Sequence, residues 1–423
     1  MRRAFFCLSL GVSAWLFIGV SALFLGCDGE TLEGEDDGGI AEDTSLEGHN
    51  ELPSDDGPPD EDDGQPDVVE EDTEVADTLE PLPEFELGEP LPKQKLWDWK
   101  FINVKGAKCR KGSDAGFFLK KSGKTDNLLV FFGFGGACFN PQMCALTATA
   151  EIDLAQTPRN FGVFDHKNKE NPVKDYNMVY IPYCTGDVHA GSRKNVKVDG
   201  VLGTHDFVGG DNYRLFLRRI AATFPDAETV VLTGYSAGGF GATFNLAVTQ
   251  NAFGRDTSIV ILSDGAPPLR DEYLPPCLMK QLRDYWDLDE YLSEICEGCM
   301  DDDGSGIFRI MEKIKARAPG VHYGLISSYE DFIIRMFFSY GLNNCEGVFR
   351  RDYPGPMYKK AVLDFRDYLD SLEWGGTFYF KGSEHGKILL PMFYTEKVNG
   401  VRLVDWFRDL MEGNMYHVRP DDE

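Results

Sequence analysis

Residues 229–245, TVVLTGYSAGGFGATFN, leave little choice of local structure. The apolar, β-branched start reads as a buried strand and the small residues after Ser236 as the opening of a helix. Between them Gly234-Tyr235-Ser236-Ala237-Gly238 matches the G-x-S-x-G turn, which holds a serine on a strained strand-to-helix corner. Glycines are required at its flanks, because a side chain there collides with the neighbouring strand or helix. The corner lifts the serine hydroxyl clear of the sheet. It also aims the Ala237 amide at the place where a carbonyl oxygen gains negative charge.

The rest of the chain supplies the sheet that such a corner needs. Short continuous apolar runs at 128–132, 178–181, 229–232, 258–262, 322–326 and 377–380 are the pattern of strands buried on both faces. Helical stretches at 212–224, 240–249 and 359–372 lie between them. Alternating strand and helix predicts an α/β fold of the α/β-hydrolase type, a mostly parallel sheet covered by helices on both faces. The interval 267–319 is too long for a simple crossover and reads as an inserted lid, rich in aromatics and holding three cysteines.

Although 423 residues allow two domains, the charge distribution points to one. Residues 28–90 hold 26 Asp and Glu and no Lys or Arg. With those charges and the two leader arginines set aside, the net charge of −28 leaves only −4 for residues 91–423, a body with no basic patch for nucleic acid. The acidic, Pro/Gly-rich segment cannot bury enough apolar surface to order itself and is expected to be a disordered linker or stalk over 27–90. Before it, Met1-Arg2-Arg3 and the apolar run 4–25 form an export signal spanning 1–26. A retained membrane anchor is the alternative reading of that run. Leu25-Gly26-Cys27 resembles a bacterial lipobox, with Phe24 where leucine is usual, and makes Cys27 the lipidated first residue of an envelope protein. The anchor is then the body's one contact with a membrane.

An α/β-hydrolase orders its triad as serine, acid, histidine. His385 lies just beyond the last predicted strand, the place for the general base. Asp331 follows the preceding strand and is the preferred acid, with Glu330 and Asp264 as alternatives. The glycine-rich run from Phe131 to Cys138 can offer further amides to an oxyanion. Taken together, Gly135-Gly136-Ala137-Cys138-Phe139-Asn140, Tyr183-Cys184-Thr185-Gly186-Asp187-Val188-His189, the serine motif and Glu384-His385-Gly386 resemble the pectin acetylesterase and Notum family of esterases over about 96–410. The resemblance implies Ser236 as nucleophile, Asp331 as acid, His385 as base and the amides of Gly136, Ala137 and Ala237 as oxyanion hole, with no cofactor. Family members often carry tryptophan where this chain has Ala137, which changes the acyl pocket.

Ten cysteines less Cys7 and Cys27 leave eight in an exported body, so structural disulfides are expected among 105 connectivities. Cys138 and Cys144 are close enough to staple the oxyanion loop. Asp301, Asp303, Ser305 and Glu312 approach the spacing of a calcium loop, which would brace the lid and take no part in chemistry. The resulting expectation is a monomeric, lipid-anchored serine esterase that removes acyl groups, acetyl foremost, from hydroxyls of a polysaccharide. A lipase-like deacylase of longer chains and a catalytically inactive surface binding protein are the alternatives.

Overall fold

The structure, a computed structural model, describes residues 84–147, 150–154, 157–293, 298–346 and 352–421. The expected signal peptide, Cys27, most of the acidic linker and Cys296 lie outside the described residues.

The chain builds one eight-stranded sheet. Its strands are β1 (Lys100–Lys108), β2 (Asp114–Lys120), β3 (Leu128–Phe132), β4 (Asn177–Ile181), β7 (Thr229–Tyr235), β8 (Ser258–Asp264), β9 (His322–Ser328) and β10 (Gly376–Phe380). Two short ribbons, β5 (Arg193–Val196) with β6 (His205–Phe207) and β11 (Lys397–Val398) with β12 (Val401–Arg402), stand apart from it. The order across the sheet is β1-β2-β4-β3-β7-β8-β9-β10. From β4 to β10 every neighbouring pair is parallel, whereas β1 and β2 run antiparallel at one edge.

All six apolar runs are strands of this sheet, and their burial explains their composition. Leu128, Val130 and Phe132 enter the core on one face, while Leu129 and Phe131 enter the core on the other. Val230 and Leu232 against Val231, and Ile259 and Ile261 against Val260 and Leu262, divide in the same way. Each such side chain contributes roughly 2 kcal/mol through burial, so a polar residue at any of these positions is costly.

The helices are α1 (Pro141–Leu146), α2 (Gly209–Thr223), α3 (Ala237–Phe244), α4 (Leu246–Phe253), α5 (Pro276–Trp286), α6 (Leu288–Leu292), α7 (Ile310–Arg317), α8 (Phe332–Phe338), α9 (Gly355–Ser371), α10 (Met392–Thr395) and α11 (Leu403–Met411). Tyr213, Phe216, Leu217 and Ile220 of α2 pack on one face of the sheet, and Trp406, Phe407 and Leu410 of α11 on the other. The helix expected over 240–249 is instead two. The buried Asn245 side chain donates to the Gly241 carbonyl at 2.8 Å and to the His189 carbonyl at 3.0 Å, and the chain bends there. Residues 267–319 contribute α5, α6 and α7, which lie outside the sheet.

Disulfides join Cys109 to Cys184, Cys138 to Cys144 and Cys277 to Cys345, and Cys299 is disulfide-bonded as well. Bonds of this number belong to a protein exported from the reducing cytoplasm. Among the described residues no helix is long and apolar enough to cross a membrane.

Candidate active site

The chain reverses its direction of travel across the sheet at β3, which has β4 on one side and β7 on the other. Crevices outside the carboxyl ends of strands form at such a switch point. Ser236 stands there, between the last residue of β7 and the first of α3, with φ 57° and ψ −123°. That backbone is costly for a side-chain-bearing residue and is held by its surroundings. The Ser236 amide donates to the Asp264 carbonyl at 2.8 Å. A Cβ on Gly234 would stand 2.2 Å from the Gly238 carbonyl group, and one on Gly238 only 2.0 Å from the Phe132 oxygen. Both glycines are therefore demanded by contact.

Asp331 and His385 come together from loops after β9 and β10. His385 Nδ1 lies 2.7 Å from Asp331 Oδ2, and the carboxylate is fully buried. Asp331 Oδ1 accepts the amides of Ile333 and Ile334, both at 3.0 Å, so one oxygen caps α8 while the other meets the imidazole. The imidazole packs against Tyr235, the residue before the serine. The Tyr235 ring packs 4.7 Å from the His385 ring and its hydroxyl donates to the His385 carbonyl at 2.8 Å. A Cβ on Gly265 would lie 3.0 Å from His385 Nδ1. His385 Nε2 is buried and has no hydrogen-bond partner among the described residues.

The two alternative acids make no hydrogen bond to the imidazole among the described residues. Glu330 is exposed, whereas Asp264 is fully buried and spends Oδ2 on the amides of Lys387 and Ile388, at 2.7 and 2.9 Å. Burial pushes its carboxyl up to about 6. Asp264 thus anchors the backbone that follows His385, a role that no motif in the sequence announces.

A family model described as pectinacetylesterase matches residues 94–269. That stretch, which holds Ser236 and the glycine-rich loop, is similar to the pectin acetylesterase and Notum family. The chain is 31% identical over 147 residues to the human palmitoleoyl-protein carboxylesterase NOTUM, covering 33% of this chain and 29% of that protein. It is 30% identical over 168 residues to zebrafish (Danio rerio) palmitoleoyl-protein carboxylesterase notum1a, covering 37% of this chain and 33% of that one. In sequence the chain thus spans about a third of the length of the curated relatives it matches. The solved structure of the Wnt deacylase Notum from Drosophila superposes with a TM-score of 0.55 at 19% identity, over 74% of this chain and 93% of that one, a likeness of fold.

A pocket opens beside Ser236, with about 760 Å³ of empty space that includes open solvent at its mouth. Gly136, Ala137 and Ala237, expected to supply the oxyanion amides, line it together with Ser236. Its remaining walls are apolar: Phe240 and Phe244 of α3, Leu278, Met279, Leu282 and Trp286 of α5, and Ile334, Phe337 and Phe338 of α8. The indole of Trp286 also donates to the Cys138 carbonyl at 3.0 Å, joining α5 to the glycine-rich loop. These wall residues escaped the sequence analysis because each reads as ordinary core.

Of the expected calcium ligands, Asp301, Asp303 and Ser305 are bonded to one another, while Glu312 is bonded elsewhere. Asp301 pairs with Arg309 and accepts from the Ser305 hydroxyl, Asp303 also accepts from Ser305, and Glu312 accepts from the Tyr368 hydroxyl at 2.8 Å. Among the described residues no group of three or more His, Cys, Asp or Glu side chains is placed to hold a metal ion.

Proposed function

We propose that the protein is an exported serine carboxylesterase that removes a hydrocarbon acyl chain, longer than acetyl, from an oxygen ester. The observation that carries this reading is the apolar pocket opening at Ser236. An acetyl group leaves most of it unfilled, whereas a chain of eight or more carbons buries its methylenes against α5 and α8. The names of the relatives, palmitoleoyl-protein carboxylesterases, point the same way.

In this reading His385 takes the proton as the Ser236 oxygen bonds to the ester carbonyl carbon, and Asp331 stabilises the imidazolium that forms. The amides of Gly136, Ala137 and Ala237 receive the oxyanion, each worth on the order of 3 kcal/mol of barrier. The protonated histidine then gives its proton to the departing alcohol. Water, deprotonated by His385, attacks the acyl-serine, and the carboxylic acid leaves with Ser236 restored. Deacetylation of a glycan is the second reading, favoured by the pectinacetylesterase model that matches residues 94–269. Hydrolysis of p-nitrophenyl octanoate by the soluble body and by its Ser236→Ala variant tests the assignment. Equal rates remove it and leave a binding protein. Lipidation at Cys27 completes the proposal, and a Cys27→Ser chain is then released from the envelope fraction.

A further inference from the structure

The buried segment from Tyr183 to His189 is far more polar than its surroundings require, and the triad uses none of it. Asp187, fully buried, accepts from the Thr185 hydroxyl at 2.6 Å and from the amides of His189 and Gly209 at 3.2 and 2.7 Å. This network holds Val188 and His189 at φ 50° and 61°, left-handed values that a chain without such bonds avoids. The result is that two side chains are presented to the glycine-rich loop. His189 Nε2 lies 2.8 Å from the Gly133 carbonyl, which can only accept, so the ring hydrogen is on that nitrogen. The Tyr183 hydroxyl accepts from the Val188 amide at 2.9 Å and donates to the Gly136 carbonyl at 2.8 Å.

The second of these bonds bears on the oxyanion hole. A trans peptide is planar, and its C=O and N–H point in opposite directions. Gly136 O and Ala137 N belong to one such plane, so anchoring the oxygen on Tyr183 sends the Ala137 N–H the other way. The next peptide is anchored too, because the Cys138 amide donates to the Gly186 carbonyl at 2.8 Å. Ala137 is therefore clamped through the peptide on either side, both times by the 183–189 segment. We infer that Tyr183 is a positioning residue for the Ala137 oxyanion donor and that His189 steadies the same loop at Gly133. The inference rests on the reading of Ser236 and Ala137 given above.

Tyr183→Phe removes one hydroxyl and keeps the ring that packs 4.7 Å from His189. A misaimed donor lowers kcat for p-nitrophenyl octanoate about 10- to 100-fold, with KM within about twofold, after correction for active-site titre with a fluorophosphonate. Affinity for an octyl trifluoromethyl ketone, whose adduct with Ser236 carries the oxyanion, falls by the same factor as kcat/KM. Affinity for octanoic acid does not change. A loss confined to titre, or one shared by octanoic acid, marks a structural role and overturns the inference. If Tyr183→Phe does not fold, His189→Gln, which keeps an N–H donor, is set against His189→Phe. The first retains ketone affinity and the second loses it; equal losses overturn the inference. Ser236→Ala is run alongside. Wild-type turnover by that variant defeats the esterase reading itself, whereas an inert Ser236→Ala with an unaltered Tyr183→Phe defeats only the positioning role.

Discussion

Lengthening the acyl chain of an ester substrate tests the pocket directly. Passing from acetyl to octanoyl adds six methylenes, and at about 0.8 kcal/mol per buried CH₂ their complete burial is worth about 5 kcal/mol. If all of it appears in the transition state, kcat/KM rises on the order of 3,000-fold. The pocket is open at its mouth, so a chain is partly solvated, and half of that energy, about 60-fold, is the working expectation. Leu282, half-buried on α5 and part of the wall, is the place to perturb. Leu282→Trp fills space that the distal methylenes occupy, which reduces the octanoyl preference below about tenfold and affects acetyl much less. The assay is initial-rate hydrolysis of p-nitrophenyl acetate, butyrate, hexanoate and octanoate below their aggregation limits, normalised to fluorophosphonate titre. Faster turnover of acetate than octanoate by the unmodified protein, or an equal effect of Leu282→Trp on both, refutes the reasoning and returns acetyl as the substrate.

Asp331→Asn keeps an oxygen for the α8 cap but cannot hold the imidazole in its working tautomer, so kcat falls about 10⁴-fold. A near-normal stopped-flow burst would argue against the triad. Gly238→Ala places a methyl carbon 2.0 Å from the Phe132 carbonyl oxygen, and the elbow must deform at a cost of about 3 kcal/mol or more. A melting temperature within 2 °C of the parent, on the order of 1.5 kcal/mol, contradicts that contact. The Asp264 carboxyl, raised by burial to about 6 from an ordinary 3.8, binds more protons folded than unfolded between pH 4 and 6. Its contribution is therefore full below about pH 4 and is lost as pH rises through 6. Asp264→Asn escapes that loss, and its stability relative to the parent climbs by on the order of 3 kcal/mol between pH 4 and 7. A pH-independent difference in urea midpoints would exclude it.

What the sequence discloses follows from how each residue meets its neighbours. The six parallel strands are legible because both faces are covered, which forces unbroken apolar runs such as Leu128 to Phe132. The β1–β2 hairpin is not, because β1 alternates buried Ile102 and Val104 with exposed residues and resembles surface chain. Ser236 is legible because contact, not chemistry, dictates the glycines beside it. Asp264 and Asp331 each close or follow an apolar run, and strand position alone favours the second; in the structure Lys387 and Ile388 claim the first while His385 meets the second. The calcium-like spacing does not disclose that Arg309, eight residues on, pairs with Asp301. The pocket is assembled from the loop after β3, α3, α5 and α8, each contributing residues that core packing alone would select. Its specificity is therefore a property of the space between elements: one substitution such as Leu282→Trp can redirect the substrate while every motif that identifies the family stays intact.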